Sequence, residues 1–186
     1  MVERADDEQL TAWALAAGRG DREALVAFIR GTQRDVHRLV AHLGDPGTAE
    51  DLTQETFLRA FRALGGFSAQ APARTWLLSI ARRVAADAVR QARRRPRTTP
   101  VATTEGLGPA GRTHGPADDH VLLRQLVEGL PADRREAFVL TQVLGLSYAE
   151  AAEVCDCPVG TIRSRVARAR QDLTAALDAG ARRREA

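Results

Sequence analysis

The 186-residue sequence contains no lysine and no asparagine, and it has only two cysteines. All 27 basic residues are therefore arginines, while alanine occurs 34 times. Codon use in a GC-rich genome accounts for this bias, but arginine also brings its own chemistry. Its planar guanidinium binds phosphates and guanine edges through paired hydrogen bonds. A net charge of +3 carried on arginine is therefore compatible with a nucleic-acid-binding protein.

Membrane spans and export signals are also missing from the sequence. No apolar stretch approaches the roughly 18 residues that span a bilayer, and the N-terminus, MVERADDEQL, lacks the apolar core of a signal peptide. Two cysteines cannot form a disulfide framework. With 44% hydrophobic and 27% charged residues, the chain is expected to be a folded cytoplasmic protein without membrane insertion.

The sequence shows little sign of a metal, a cofactor or a catalytic centre. Cys155 and Cys157 have no third cysteine or nearby histidine, whereas zinc normally takes four ligands. We expect the two thiols to pack as small apolar side chains, with redox or metal sensing as the less favoured alternative. No nucleophile–base arrangement and no glycine-rich phosphate loop is present. The sequence therefore predicts neither a metal site nor an enzyme. The histidines, which also lack ligand spacing, are His37, His42, His114 and His120.

Charge alternates along the chain in four blocks. Residues 1–60 carry 7 arginines against 11 acids, and residues 61–112 carry 10 against 2. Residues 113–156 carry 3 arginines against 8 acids, and residues 157–186 carry 7 against 3. Two separated basic blocks, each preceded by an acidic one, indicate two contacts with a polyanion.

Apolar periodicity predicts an all-α fold with two small helical domains. Residues 96–117 hold four of the eight prolines and no apolar periodicity, so they are predicted to be a flexible linker. The domains are then residues 1–95 and 118–186. Thr48 and Asp51 suggest a capping box at the start of one helix. Helices are expected at 21–43, 48–64, from Pro72 to the arginine cluster 93–95, and at 119–129, 132–144, 147–154 and 159–178.

The C-terminal domain has the layout of a helix-turn-helix. Ser147 and Glu150 form a capping box that opens a short helix, and the turn 155–158 separates it from a longer helix. The longer helix carries an apolar stripe, with polar side chains opposite that suit base edges and phosphates. The stripe comprises Ile162, Val166, Ala169 and Leu173, and the polar face Thr161, Ser164, Arg168 and Gln171, with Arg163 and Arg165 on its flanks.

Two further patterns mark the N-terminal domain. Arginines line one face of the helix that starts near Pro72, and Trp76 lies on the same side. An aromatic edge beside guanidinium groups suits unstacked bases, although Trp76 is equally compatible with an ordinary boundary position. Leu58 falls on the polar face of the segment DLTQETFLRAF at 51–61, where it could anchor a protein interface. The arginines of that face are Arg83, Arg90, Arg94 and Arg97.

Three blocks of sequence, in order, resemble the extracytoplasmic-function (ECF) sigma factors, the compact two-domain class of bacterial transcription initiation factors. DLTQETFLRAF resembles the family's polymerase-clamp-binding helix, and ARTWLLSIARRVAADAVR resembles its helix for melting and minus-ten recognition. LPADRREAFVLTQVLGLSYAEAAEVCDCPVGTIRSRVARAR resembles its minus-thirty-five domain. The resemblance covers about 21–95 and 119–178, and it implies a sigma factor that binds core RNA polymerase and directs promoter-specific initiation.

The resemblance also implies partners and site residues. The partners are core polymerase, through its β′ clamp helices and β subunit, and promoter DNA in duplex and single-stranded form; an anti-sigma protein stays open as a further partner. The family commonly has asparagine at the position of Arg83, so the identity of the minus-ten base stays open. The implied polymerase-binding residues are Asp51, Leu52, Gln54, Glu55, Leu58 and Phe61. The minus-ten residues are Phe67, Ser68, Gln70, Trp76, Arg82, Arg83 and Arg90, in part from the loop 65–73. The minus-thirty-five residues are Thr161, Arg163, Ser164, Arg165 and Arg168.

Two other functional classes are alternatives to a sigma factor. A free-standing helix-turn-helix repressor or activator would bind duplex DNA unaided, whereas a sigma factor needs core polymerase for specific binding. A nucleic-acid enzyme is disfavoured by the missing catalytic residues. The alternating charges also suggest that the two domains pair when polymerase is absent, covering the stretch Arg163 to Arg170 or the Arg83 face.

Overall fold

A computed structural model describes residues 6–94 and 123–185, with side chains to residue 179. Within these ranges every regular element is a helix, which confirms the all-α prediction. The predicted linker 96–117 and both predicted domain boundaries lie outside the described residues. Of the helices that the structure describes, none is long and apolar enough to cross a membrane.

Residues 6–94 form a four-helix unit, called here the N-terminal bundle. Its helices pack on one another around buried leucine, valine and phenylalanine side chains, and a short 3-10 turn, Pro46–Thr48, precedes the third of them. The bundle therefore places the segment 51–61 and the arginine-bearing helix side by side. The helices are α1 (Asp7–Gly18), α2 (Arg22–Leu43), α3 (Ala49–Leu64) and α4 (Ala73–Arg94).

Helix α1 was not predicted from the sequence. Its buried residues are Leu10 and Ala14, too few to produce a clear periodic stripe. Thr11 also links α1 to α4, because its hydroxyl accepts a hydrogen bond from the backbone N–H of Ala73 at 3.0 Å. That bond satisfies one of the free amides in the first turn of α4. Packing against the bundle, rather than local pattern, thus orders this helix.

The predicted capping box at Thr48 is wrong. Thr48 makes no side-chain hydrogen bond to the first turn of α3, and its hydroxyl instead donates to the carbonyl of Asp45 at 2.9 Å. The Asp45 carboxylate accepts from the Gly47 N–H at 2.9 Å, so it caps the preceding 3-10 turn. An aspartate side chain commonly binds the backbone N–H two residues further along a turn, and Asp45 does so here at Gly47.

Apolar residues recur at helical spacing in α2, at positions 25, 29, 36, 40 and 43, and this spacing predicts a buried stripe there. The buried face is rotated from that stripe. Val36 and Val40 are buried as expected, whereas Leu25 and Ile29 are only half-buried. Phe28 and Leu39 occupy the centre of the face. Ile29 consequently points toward α3 at the surface, where it helps to form a groove described below.

Residues 123–185 form a second helical unit, the C-terminal bundle. The expected helix 119–129 is described only at 123–128, labelled α5. The predicted helix 132–144 is a shorter α-helix that ends in a π-helical turn, Val139–Val143, which the sequence pattern did not reveal. The other helices are α6 (Ala132–Phe138), α7 (Tyr148–Cys155) and α8 (Val159–Glu185).

Helices α7 and α8 form the predicted helix-turn-helix. The capping box is confirmed, since the Ser147 hydroxyl accepts from the Glu150 N–H at 3.2 Å and the Glu150 carboxylate accepts from the Ser147 N–H at 2.7 Å. Asp156 ends α7 in a left-handed conformation with φ of 52°, which a short polar residue tolerates. The predicted stripe of α8 is buried at all four positions, Ile162, Val166, Ala169 and Leu173.

The two bundles pack against each other. Helix α4 contacts α7, and α2 contacts α6. The Arg74 guanidinium donates to the Leu144 carbonyl at 2.6 Å, and it also pairs with Asp35 on α2 at 2.8 Å. Leu144 closes the π-helical turn, so its carbonyl belongs to a helix end with unsatisfied acceptors. Arg74 therefore caps a helix of the opposite bundle.

Candidate nucleic-acid and protein interfaces

The predicted minus-thirty-five residues lie on the first turns of α8. Arg163, Ser164 and Arg168 are exposed, and neither arginine forms an ion pair with another described residue. The Ser164 hydroxyl donates to the Thr161 carbonyl at 2.9 Å, which orients it along the helix. Because the buried stripe anchors the opposite side of α8, these side chains form a rigid outward face suited to a DNA groove.

Arg165 differs from the other residues of this set. It is half-buried, and its Nε lies 3.4 Å from the Asp133 carboxylate at the start of α6. The same guanidinium lies 4.0 Å from the Cys157 sulfur. Arg165 thus holds α8 against α6, and it is less available to DNA than Arg163 or Arg168.

The loop between α3 and α4 carries several predicted minus-ten residues. Phe67 and Trp76 contact each other with ring centroids 4.9 Å apart and ring planes tilted by 40°. Both are half-buried, while Ser68 and Gln70 are exposed. Trp76 is therefore a boundary residue that fixes the loop through Phe67. Ala69 adopts φ of 56°, a strained value for a residue with a Cβ. Sequence reasoning could not detect this strain.

The three predicted minus-ten arginines have different partners. Arg83 is exposed, and it makes no ion pair with a described residue. Arg90 is exposed but pairs with Asp87. Arg82 is only 31% exposed and donates to the Glu136 carboxylate on α6 at 2.5 Å. Only Arg83 of the three is thus freely presented, because Arg82 is engaged by the C-terminal bundle.

The predicted polymerase-binding face lies on α3 beside α2. Leu58 is 50% exposed and Phe61 is 38% exposed, which confirms that Leu58 lies on the polar face. Phe61, which is also an implied polymerase-binding residue, lies at the border between the core and the surface. These two side chains line an open groove of about 400 Å³ together with Ile29 and Phe57. An exposed apolar pair in a groove is typical of a protein-binding surface.

The other implied polymerase-binding residues differ in their exposure to solvent. Asp51 and Gln54 are exposed, whereas Leu52 is half-buried and packs against the hydrophobic core near Gly44. Leu52 therefore lies behind the exposed face rather than on it, and its part in polymerase binding stays a prediction. Glu55 accepts a hydrogen bond from the Nε of Arg59 at 2.7 Å.

A network of charges joins α3 to α4. Arg59 bridges Glu55 and Asp87, with 2.8 Å between its Nη1 and Asp87 Oδ2. The hydrogen bonds from Arg59 and then Arg90 hold the pKa of Asp87 below its usual range. The network connects the candidate polymerase face to the candidate minus-ten helix. No sequence pattern indicated it, because Arg59 and Asp87 are 28 positions apart.

The two cysteines lie near the contact between the bundles. Cys155 is buried, and burial followed by the nearby Glu136 carboxylate raises the pKa of its thiol to about 12. Such a thiol stays protonated and unreactive, in accord with core packing. Within the residues that the structure describes, no group of three or more potential ligand side chains could hold a metal ion.

His42 lies at the contact between the two bundles, and no pattern in the sequence indicated this position. Its Nδ1 is buried without a hydrogen-bond partner, and its ring lines a cleft of about 470 Å³ between α2 and α5–α6. Burial, followed by the charge of Arg124, lowers the pKa of His42. Other charges near the ring are Glu128, Arg135 and Arg38.

The predicted pairing of the domains occurs through surfaces other than those expected. Arg163, Arg168 and Arg83 remain exposed, so the expectation that the pairing would cover them is wrong. The contact uses Arg74 and Arg82 of α4 instead. The charge blocks of the sequence predicted attraction between the bundles, but the positions of the Leu144 carbonyl and the Glu136 carboxylate decide which arginines are engaged.

Comparison with known proteins finds family matches in two stretches of this chain. Residues 28–95 match the family description "Sigma-70 region 2" and residues 120–173 match "Sigma-70, region 4". The chain is 58% identical over 170 residues to the "Probable RNA polymerase sigma-C factor" of Mycobacterium bovis, covering 91% of this chain and 92% of the relative. It is 36% identical over 179 residues to the "ECF RNA polymerase sigma-E factor" of Escherichia coli K12, covering 89% and 94%.

Solved structures give the same result. The structure of CnrH in complex with the cytosolic domain of CnrY matches with a TM-score of 0.71 and 25% identity, over 94% of this chain and 99% of the other. The sigma factor RpoE of Bartonella quintana, in complex with the anti-sigma factor NepR, matches with a TM-score of 0.66 and 26% identity, over 83% and 96%. With two sigma-70 regions in order and relatives that match along most of their length, this chain belongs to the ECF sigma factors of bacterial RNA polymerase.

Proposed function

We propose that this sigma factor binds core RNA polymerase in the cytoplasm, directs it to promoters through minus-ten and minus-thirty-five elements, and assists melting. The observation that carries the proposal is the exposure of the arginines assigned to DNA. Arg163 and Arg168 on α8 and Arg83 on α4 extend to solvent without an ion pair to a described residue. Each is anchored on a helix whose opposite face is buried, so each surface is preorganised.

Helix α8 is proposed to read the minus-thirty-five duplex from its N-terminal turns. Hydroxyl and guanidinium groups there suit base edges and phosphates in a major groove. Arg163 and Arg168 are its principal contacts, and Thr161 and Ser164 provide shorter polar ones. Arg165 contributes less, because its ion pair with Asp133 holds it against α6.

The α3–α4 loop and α4 are proposed to bind the opened minus-ten strand. The contacting rings of Phe67 and Trp76 offer an aromatic edge beside the exposed polar groups of Ser68 and Gln70. Aromatic side chains compensate for the stacking that a base loses when it leaves the duplex. Arg83 would contact the adjacent backbone, whereas Arg90 is paired with Asp87.

The closed arrangement of the bundles is proposed to be the form that exists without polymerase. Arg82 belongs to the minus-ten set, but its guanidinium is bound to Glu136. DNA or polymerase binding that needs Arg82 would therefore compete with this contact. The similar structures show CnrH in complex with the cytosolic domain of CnrY, and RpoE in complex with the anti-sigma factor NepR. An anti-sigma protein could act on this chain at the same contact.

Run-off transcription with purified core polymerase on genomic promoter fragments tests the proposal. We expect the chain and core together to give discrete transcripts, and footprints at both promoter elements, while neither component does so alone. Leu58→Arg should abolish these signals without loss of helicity, because Leu58 lies outside the core. Leu58 is a better choice than Glu55, since Glu55 also supports the network with Arg59. A specific footprint by the free chain would instead favour a repressor.

A further inference from the structure

The described arginines divide into two main groups by their partners. One group forms ion pairs. Most of these pairs join two helices, as Arg59 does between α3 and α4 and Arg134 does between α6 and α8, whereas the pairs of Arg90 and Arg124 lie within a single helix. The members of the paired group are Arg59, Arg74, Arg82, Arg90, Arg124, Arg134 and Arg165.

The second group is exposed and forms no ion pair with a described residue. Most of it falls in three clusters, on α8, on α4 and on the outer face of α2. The first two clusters coincide with the surfaces proposed to bind DNA, whereas the third has no role in any contact described above. The clusters are Arg163 and Arg168; Arg83, Arg93 and Arg94; and Arg30, Arg34 and Arg38.

Arg30, Arg34 and Arg38, called here the α2 arginine row, repeat every four residues on α2. Successive members lie about 6 Å apart along the axis and on the same side of the helix. Like charges at this spacing destabilise a helix by a few tenths of a kcal/mol per pair. With no acid paired to it among the described residues, the row is better suited to an external anionic partner than to stabilising the bundle.

The α2 arginine row continues the groove that contains Leu58 and Phe61. A second depression of about 420 Å³ lies between α2 and the start of α3, and it is lined by Arg34 and Arg38. The two depressions adjoin, because both are lined by Gln33, Glu50 and Thr53. A single surface therefore runs from an apolar end to a basic end, with Glu50 as the acid on its rim.

We propose that the α2 arginine row is the second half of the polymerase-binding surface, where it receives acidic side chains of the same core polymerase segment whose apolar side chains enter the groove at Leu58 and Phe61. This inference rests on the proposed function. An amphipathic helix that carries apolar residues at one end and carboxylates about two turns further along fits both halves. Each half alone is small, but together they offer area for binding and charge for orientation.

A protein occupant fits this surface better than nucleic acid does. The groove at Leu58 and Phe61 is apolar, and a phosphate backbone would leave it unfilled. Glu50 on the rim would repel phosphates but can pair with a basic side chain of a protein helix. The arginines proposed to bind DNA lie instead on α4 and α8.

The test measures binding to purified core polymerase with charge-reversal variants. We expect Arg34→Glu to weaken the affinity for core about tenfold, and to reduce the salt dependence of binding between 50 and 200 mM, because the row no longer attracts acids. Arg22→Glu is the matched control. Arg22 is also exposed and unpaired among described residues, but lies 12 residues away on the same helix, about 18 Å along its axis. Circular dichroism confirms that both variants fold.

The possible results separate this inference from the proposed function. If the unmodified chain does not bind core, the proposed function fails and this inference fails with it. If the chain and Arg22→Glu bind core, and Leu58→Arg does not, equal binding by Arg34→Glu overturns only the inference. Normal core binding by Arg34→Glu, with weaker promoter binding by the assembled holoenzyme, overturns it in favour of a nucleic acid contact.

Discussion

Arg74→Met should destabilise the protein strongly, because Arg74 serves both bundles at once. Its side chain is 7% exposed and that of Asp35 is 11% exposed, with 2.8 Å between Nη2 and Oδ2. The same Nη2 donates to the Leu144 carbonyl at 2.6 Å. The substitution removes the cation that balances a buried carboxylate, and breaking such a pair costs about 3–5 kcal/mol. It also removes the cap on the π-helical turn.

For a chain of this length, each kcal/mol changes the melting temperature by about 2–4 °C. Arg74→Met is therefore expected to lower the melting temperature, followed by circular dichroism at 222 nm, by about 6–20 °C. Arg83→Met is the control, since Arg83 lies on the same helix but is exposed. Its melting temperature should stay close to that of the unmodified chain.

A double variant tests the cause of the destabilisation. In Asp35→Leu/Arg74→Met the buried carboxylate is removed together with its cation, so the double variant should melt above Arg74→Met. If Arg74→Met and Arg83→Met melted at the same temperature, the ion pair would not have the structural role assigned here. If the double variant melted at or below the temperature of Arg74→Met, the account that Arg74 compensates the buried charge of Asp35 would be refuted.

Three further predictions concern DNA binding, closure and pH. Arg168→Ala should weaken promoter binding by the holoenzyme by about 1–3 kcal/mol, and unchanged binding would exclude this face from the DNA contact. Glu136→Gln should open the molecule and raise its radius of gyration above the roughly 16 Å of a compact chain of this length, with Glu153→Gln as the exposed control; equal scattering by both would refute a closing role for the Arg82–Glu136 pair. Burial lowers the pKa of His42, so the folded protein favours the neutral ring more than the unfolded chain does. The free energy of unfolding is therefore highest above the usual histidine pKa near 6.5, and it decreases as the pH falls below that value. The melting temperature should therefore fall between pH 7.5 and 5.5, less steeply in His42→Gln, and equal slopes would contradict the role of His42.

Local sequence patterns predicted the parts of this fold that depend on neighbouring residues. The buried stripe of α8 follows from the spacing of Ile162, Val166 and Ala169, because the helical period places them on one face. The capping box of Ser147 and Glu150 needs only residues three apart. The exposed position of Leu58 follows from the same periodicity. The resemblance of three blocks to the ECF sigma factors, which the comparisons confirmed, also used continuous stretches of sequence.

The sequence by itself thus determined most of the helices, the buried face of α8 and the family, while the tertiary structure decided the presence of α1, the buried face of α2 and which polar side chains are available. Leu52 turns inward and Arg82 is engaged by Glu136, although both lie in segments that resemble functional motifs. Arg74 contacts Leu144, which lies 70 positions away in the sequence. The periodicity of a single helix carries no information about contacts at that separation. Whether an arginine is free or paired depends on which acid or carbonyl the packing of the two bundles places opposite it. Periodicity assigns a side chain to a face, but only the packed structure supplies its partner.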